Sequence, residues 1–242
     1  KWDWDAFWKN AEMYNESSRC MIEKWDVNCT EHPQVCGAAL ALQREYEFMA
    51  AACMDKFMLK TDRRVTKMML KGYEQDKAAN APQPKYRCLV WACPAHYYTN
   101  FTYWTQHCWG VTCVNDMEAM LSYQPITIGD KEQALADLVR CYEKMMMRSH
   151  TNGGYVNLLD ECWKMCEKFH TNIVIMYDHV SCKNVGGLHG LFEDQARERG
   201  IHLIWIPHDV MDPRTVSRRE MREAFSQYMV TEDGSTGVDG EK

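Results

Sequence analysis

The chain has 242 residues, of which 46% are hydrophobic and 26% charged, and its formal net charge at neutral pH is -6. These values predict a folded globular protein with one large domain or two small ones. The negative charge argues against a nucleic-acid partner, which requires a basic face. No apolar run approaches the roughly 20 residues of a membrane span, and no signal peptide opens the sequence, so we expect a cytoplasmic protein without a membrane partner.

The cysteine content is high, with twelve cysteines in the chain. Without a secretory signal, reduced thiols are a better interpretation of this count than a disulfide framework. Cys88, Cys113 and Cys141 fall within apolar patterns, where a free cysteine packs as a small hydrophobic residue. We therefore expect most of these thiols to be reduced.

Residues 1–85 predict a helical region followed by a linker. Apolar residues recur at helical spacing from Ala11 and again from Ala38, and turn-forming residues separate the two stretches. Residues 76–85 are mostly polar or small and contain two prolines, which indicates a linker. The first residue is a lysine and the helical pattern begins at once, so we expect the chain to be the middle of a longer protein or a trimmed form of one.

From residue 86 the sequence alternates between strand and helix patterns. The predicted strands are 87–92, 110–114, 172–177 and 202–207, and the predicted helices are 97–108, 130–147, 155–170, 188–199 and 217–229. Such alternation predicts a mainly parallel sheet with right-handed crossovers. The expected fold is therefore a flavodoxin-like, doubly wound α/β domain of four strands over 86–230, with a flexible tail at 231–242.

Three helix ends carry recognisable capping residues. Asp130 is the predicted N-cap of one helix, with Gln133 as its capping-box partner. Ser217 and Glu220 form the same pattern at the last helix, and Gly200 occupies the position that ends a helix in the left-handed conformation.

The ends of the predicted strands carry the reactive side chains. Ligands of open α/β sheets bind outside the carboxyl ends of the strands. The four segments that follow the strands contain two thiols, three histidines, several carboxylates, Lys183 and Arg214, and we expect them to converge on one edge. The candidate pocket residues there are Cys93, His96, Asp116, Glu118 and Lys183.

Cys182 is the most informative of these strand-end residues. It follows a buried strand almost at once, and Gly186 and Gly187 allow close approach of a bound group. A thiol in this place is a metal or cluster ligand, a nucleophile or a residue that packs at a strand end. The residues alone leave these three interpretations open.

Several other patterns are better explained by structure than by chemistry. Cys162 and Cys166 share one helix face, and we expect them in the core. Cys29, His32 and Cys36 resemble half of a zinc site without a second half. Gly186-Gly187-x2-Gly190 lacks the dinucleotide-binding spacing. The segment from Asp209 to Arg214 is expected to form a local ion-pair loop, and Cys93 is most simply a buried strand-end cysteine.

Four long stretches, 90–104, 145–155, 179–184 and 209–222, resemble the 2-hydroxyacyl-CoA dehydratases. The resemblance extends over nearly the whole chain and is strongest to the C-terminal portion of the larger subunit in the 2-hydroxyglutaryl branch. Benzoyl-CoA reductase subunits belong to the same superfamily.

The resemblance implies an enzyme of anaerobic amino-acid fermentation. Family members are heterodimers that hold a [4Fe-4S] cluster through three cysteines, and a separate ATP-dependent iron–sulfur activator protein supplies one electron. The thioester of (R)-2-hydroxyacyl-CoA becomes a ketyl radical, water is eliminated and 2-enoyl-CoA is released. The radical is needed because the β-hydrogen of an ordinary acyl-CoA is too weak an acid to be removed directly, and the cofactor supplies the electron chemistry.

By the same resemblance, Cys182 corresponds to the last cluster cysteine of the family. The other two ligands are expected outside this chain, so the chain alone is expected to be inactive. Two alternatives remain open at this point, which are a non-catalytic α/β scaffold subunit and a benzoyl-CoA reductase-like subunit.

Overall fold

The computed structural model describes residues 2–36, 39, 56–117, 124–143 and 154–231. Within these ranges the helices are α1 (Trp4–Cys29), α2 (Lys56–Ala78), α3 (Phe101–Trp109), α4 (Lys131–Glu143), α5 (Gly154–Phe169), α6 (Lys183–Gly186), α7 (His189–Arg199) and α8 (Arg218–Thr231). The strands are β1 (Tyr86–Trp91), β2 (Val111–Asp116), β3 (Ile173–His179) and β4 (His202–His208). The helical stretch predicted from Ala38, the end of the helix predicted over 130–147 and most of the predicted tail lie outside the described residues.

The four strands form one parallel sheet in the order β2-β1-β3-β4. This order matches the first four strands of the flavodoxin arrangement. The predicted flavodoxin-like α/β class is therefore confirmed. Because every strand runs in the same direction, all four carboxyl ends lie along one edge.

The strands are buried because helices cover both faces of the sheet, and strands of this kind are rich in apolar residues. All six residues of β2 are buried, and five of the six in β1. β2 continues two residues beyond its predicted end because Asn115 and Asp116, although polar, still pair with β1. Cys88 and Cys113 are buried in register with each other, as small hydrophobic residues, and the described cysteines are free thiols.

The capping predictions are confirmed at two helices and in part at the third. The Ser217 hydroxyl accepts from the Glu220 amide at 3.2 Å, and the Glu220 carboxylate accepts from the Ser217 amide at 2.6 Å. Gly200 ends α7 with φ 64°. Asp130 accepts from the amides of Glu132 and Gln133, but the Gln133 side chain is not its capping-box partner. The Gln133 amide instead donates to Asp137 Oδ1 one helical turn further along.

The helical N-terminal region packs directly onto the sheet. Met21 and Trp25 of α1 belong to the same hydrophobic core as the strands. Arg87 at the start of β1 donates to the backbone oxygens of Asn28 and Thr30 at 2.7 and 2.8 Å. Asn28 in turn donates to the Val114 oxygen of β2 at 3.0 Å. The end of α1 is thus held by polar contacts to two strands. The domain boundary expected near residue 85 stays a prediction.

A buried ion pair joins α1 to α2. Lys24 Nζ lies 2.8 Å from Asp62 Oδ1, and the two side chains are only 3% and 1% exposed. The Ser17 hydroxyl donates to the other oxygen of Asp62 at 2.6 Å. The pair therefore satisfies charges that would otherwise be buried without a partner.

We predict that Lys24→Met lowers the free energy of unfolding by roughly 3–5 kcal/mol, because it leaves the buried Asp62 carboxylate without its cation. Urea unfolding monitored by circular dichroism measures the change. Arg63→Met is the matched control, because the pair of Arg63 with Glu16 links the same two helices at the surface. The control is expected to cost much less, because an exposed ion pair contributes little to stability. Equal losses in the two variants would contradict this account of the ion pair.

Candidate functional site

Cys182 lies three residues beyond the carboxyl end of β3. Its backbone amide donates to the His179 oxygen at 2.8 Å, which closes a tight turn directly after the strand. The residue precedes α6 and adopts an extended conformation, and its thiol makes no capping hydrogen bond to the described residues of that helix. The side chain is half-buried and packs against the edge of the core. The thiol thus combines partial packing with partial access from solvent.

The loops after β1 and β4 meet over the end of β3. The His96 amide donates to the Val210 oxygen at 2.9 Å, and the Val180 amide donates to the His208 oxygen at 3.0 Å. This meeting follows from the strand order, because β1 and β4 flank β3 on either side. Three of the four predicted strand-end segments therefore converge on the edge that carries Cys182.

Cys93 and His96 form a pair in the loop after β1. Cys93 Sγ lies 3.8 Å from His96 Nε2, within reach of a weak sulfur hydrogen bond. Cys93 is half-buried and His96 is exposed. The expectation that Cys93 is a buried strand-end cysteine is therefore only half right, since one side of the residue faces the loop and its histidine.

His179, the last residue of β3, is held in one orientation by two neighbours. Its Nδ1 accepts from the Ser181 amide at 3.1 Å and lies 2.9 Å from the Ser181 hydroxyl. An Nδ1 that accepts from an amide leaves the proton of the neutral ring on Nε2. That nitrogen faces Asp209 Oδ2 at 4.0 Å. The backbone amides of Asp212 and Met211 lower the pKa of Asp209, so its carboxylate stays ionised beside the imidazole.

His208, the last residue of β4, is fully buried at 0% exposure. Its ring contacts those of Tyr177 and His179, with centroid separations of 5.0 and 5.4 Å. The backbones of Cys93 and Asp178 are weak hydrogen-bond partners of the ring, although neither ring nitrogen makes a well-formed bond to a described residue. Burial, and after it the neighbouring His179, lowers the pKa of His208 to about 4, so the ring is neutral at physiological pH.

The remaining candidate residues occupy different places around the edge. Asp116 is buried at the carboxyl end of β2, two strands away from β3, and Lys183 is exposed as the first residue of α6. Glu118 lies outside the described residues. Arg214 pairs with Asp212 at 2.6 Å, which confirms the predicted local ion-pair loop.

Gly186 and Gly187, which follow Cys182, leave room for a bound group to approach. One of them is also required by the backbone of the turn. A Cβ atom added at Gly187 would lie 2.9 Å from the Lys183 oxygen, so glycine is required there by the turn itself. At Gly186 the nearest atom would be Asp178 Oδ1, at an ordinary contact distance of 3.6 Å. Asp178 is also 3.2 Å from His189 Nε2, and the His189 ring stacks on Trp205 at 3.6 Å. The segment that follows Cys182 is therefore anchored to both β3 and β4.

Two cysteine patterns lie away from this edge. Cys162 and Cys166 are buried in the core at 0% and 2% exposure, as predicted. Within the described ranges, the structure contains no group of three or more histidine, cysteine or acidic side chains arranged to hold a metal ion. This applies to Cys29, His32 and Cys36 and to the edge at Cys182. The described donors therefore do not make a complete cluster site, although Cys182 is accessible enough to supply one ligand.

The sequence predicts which loops converge but favours different residues within them than the structure does. His179, His208 and Asp209 were recognised only as parts of strand ends, and none was selected as a pocket residue. The available signal was position, because each lies at the last residue of a strand or immediately after one. The contact of His208 with His179 depends on the register of β3 and β4, which pairs these two residues directly.

These features define an α/β protein of the flavodoxin-like class whose polar chemistry lies at the carboxyl edge of a parallel sheet. The sequence model of the 2-hydroxyglutaryl-CoA dehydratase D-component family matches residues 1–229. The chain belongs to this family. A search of curated proteins found no significant match.

None of the helices in the described part of the chain has both the length and the apolarity needed to cross a membrane.

Membership places the chain in a dehydratase, a class of lyase, as one of its components. The D-component designation implies a partner subunit in a dehydratase complex.

We predict that acid destabilises the protein between about pH 6.5 and pH 4 through His208. Its pKa is about 4 in the folded protein and about 6.5 when unfolded, so the unfolded chain binds the proton first and stability falls as the pH is lowered. The full effect is up to roughly 3 kcal/mol. Urea unfolding of the wild type and of His208→Leu at several pH values measures it. The difference between the two proteins should change across this window, and a constant difference would contradict the prediction.

Proposed function

We propose that this chain is a subunit of an iron–sulfur 2-hydroxyacyl-CoA dehydratase that eliminates water from (R)-2-hydroxyacyl-CoA to give 2-enoyl-CoA. The reaction proceeds through a ketyl radical of the thioester and serves amino-acid fermentation in the cytoplasm. The chain works with a second dehydratase subunit and an ATP-dependent iron–sulfur activator protein. The observation that carries the proposal is the half-exposed thiol of Cys182 at the carboxyl edge, in a sequence that belongs to the D-component family.

Cys182 is the proposed protein ligand of a [4Fe-4S] cluster. The turn closed by its amide holds the residue at the strand end, and the absence of a capping bond to the described residues of α6 leaves the thiol available. Two further cysteines outside this chain complete the ligand set. When bound, the cluster supplies one-electron chemistry to the site.

The surrounding side chains suit a site for a polar thioester. Lys183 places an exposed ammonium group directly after the ligand, where it favours an electron-rich oxygen or sulfur. His179 accepts from the Ser181 amide through Nδ1 and directs its Nε2 towards the Asp209 carboxylate. Cys93, His96 and Asp116 are proposed as wall residues of the pocket, and Glu118 is proposed from its position after β2.

We predict that Cys182→Ser reduces both iron content and dehydration. Loss of an outer-shell partner alone typically costs a metal site roughly 10–100-fold, and loss of a direct ligand should cost at least as much. The experiment reconstitutes the complete subunit with iron and sulfide under anaerobic conditions, together with its partner subunit. Iron is then quantified, and enoyl-CoA formation is measured with activator, ATP and an (R)-2-hydroxyacyl-CoA.

Cys108→Ser is the matched control, because Cys108 is another half-buried thiol, near the end of α3 and before β2 begins. The control is expected to keep the iron and the activity of the wild type. If Cys182→Ser also retains both, the ligand assignment is wrong. Reduction of benzoyl-CoA in place of dehydration would instead identify a ring reductase, and inactivity of the wild type on both substrates would favour a scaffold subunit.

A further inference from the structure

The segment 209–223, which leads from β4 into α8, contains four arginines and four carboxylates. It begins at the carboxyl edge, where the Val210 oxygen accepts from the His96 amide of the loop after β1. Equal numbers of opposite charges predict that the arginines and carboxylates pair with one another. The observed contacts divide the arginines into two groups.

The four carboxylates of this segment are all engaged. Two of them accept from backbone amides. The other two form ion pairs, Asp212 with Arg214 and Glu223 with Arg219. In the described part of the chain, no carboxylate lies within ion-pair distance of Arg218. The positive charge of Arg218 is therefore not neutralised by the residues that surround it.

Tyr98, in the loop after β1, holds two of the arginines in place. The guanidinium groups of Arg218 and Arg222 lie 5.3 and 5.4 Å from the centre of its ring, as cation–π contacts. Arg218 also donates to the Tyr97 backbone oxygen at 2.8 Å, and Arg222 donates to the Tyr98 hydroxyl. Arg222 further contacts the Trp104 ring at 5.4 Å. Two cations one helical turn apart are thus fixed beside the carboxyl edge.

This arrangement suits a phosphate group. A guanidinium group is planar, and its N–H donors match the oxygens of a phosphate in pairs. Arg218 uses a single N–H group in its bond to Tyr97, so its other donors are available, and the residue is exposed to solvent. Because the two side chains are already ordered on Tyr98, binding an anion costs them little further conformational entropy.

The CoA part of an acyl-CoA is strongly anionic, since it carries a diphosphate and a phosphate on its ribose. A chain with a net charge of -6 repels such a molecule as a whole, so binding requires cations placed where the phosphates lie. Arg214 and Arg219 are already neutralised by their own carboxylates. Arg218, with Arg222 beside it, is the cation of this segment best placed for the task.

We propose that Arg218 and Arg222 bind a phosphate group of the CoA moiety. This inference rests on the proposed function and adds to it the residues that hold the part of the substrate remote from the thioester. Arg218 contacts the phosphate directly, and Arg222 contributes its positive charge from the same face of α8. Tyr98 orients both.

The test is calorimetric binding of an (R)-2-hydroxyacyl-CoA to the complex of this subunit with its partner. Activator and ATP are omitted, so that no turnover occurs. Arg218→Gln is expected to weaken binding by about tenfold or more, through loss of a charge-assisted hydrogen bond. Arg218→Lys, which keeps the charge, should recover part of the affinity. Arg219→Gln is the matched control, because it removes the same charge one residue further along, from a side chain that pairs with Glu223. It should bind as the wild type does.

A second ligand distinguishes the two phosphate sources within CoA. The corresponding dephospho-CoA thioester lacks the ribose phosphate. It should bind Arg218→Gln and wild type equally if the ribose phosphate is the partner, and should retain the difference if the diphosphate is the partner. Both results support the proposal.

Three results would overturn the proposal. The first is unchanged affinity in Arg218→Gln, and the second is an equal loss in Arg219→Gln, which would reveal a general effect of charge. The third is a loss of affinity that Arg218→Lys does not reduce and that accompanies a lower urea midpoint, because it would reveal a folding defect. A wild type that binds no acyl-CoA would instead overturn the substrate class of the proposed function, which the first two results leave in place.

Discussion

The parallel pairing of β3 with β1 on one side and β4 on the other is the constraint on which the rest of this structure depends. It brings every carboxyl end to one edge and places the loops after β1 and β4 over the end of β3. The one-to-one register of β3 with β4 then sets His179 directly beside His208. A shift of one residue would exchange the faces of the sheet and separate these two rings. The chemistry of the edge is thus a consequence of strand order and register.

Buried polar groups connect the elements of this fold to one another. Arg87 and Asn28 connect α1 to the sheet through backbone oxygens, and Lys24 with Asp62 connects α1 to α2. Each of these side chains is buried or half-buried and has its partners. His208 is buried to the same degree, and the backbones of Cys93 and Asp178 are its weak hydrogen-bond partners.

Much of the fold could be predicted from the sequence because its signals are local. The alternation of apolar runs and helical periods located every described strand to within two residues at either end, and Ser217 with Glu220 formed the expected capping box. The prediction failed where a local pattern had a competing partner. Gln133 bonds to Asp137 and does not complete the box with Asp130, and β2 extends through two polar residues that the sheet buries.

The candidate site was predictable only as a set of loops. By itself the sequence determined the parallel α/β class, the strand-end position of Cys182 and the local ion pair of Asp212 with Arg214, because each depends on residues close together in the chain. Only the tertiary structure decided that the loops after β1 and β4 meet over β3, that Asp116 lies two strands away and that His208 is buried against His179. These relations join residues up to 114 positions apart, as in the bond from His96 to Val210 at 2.9 Å. Such pairings arise from strand order, which no local pattern encodes.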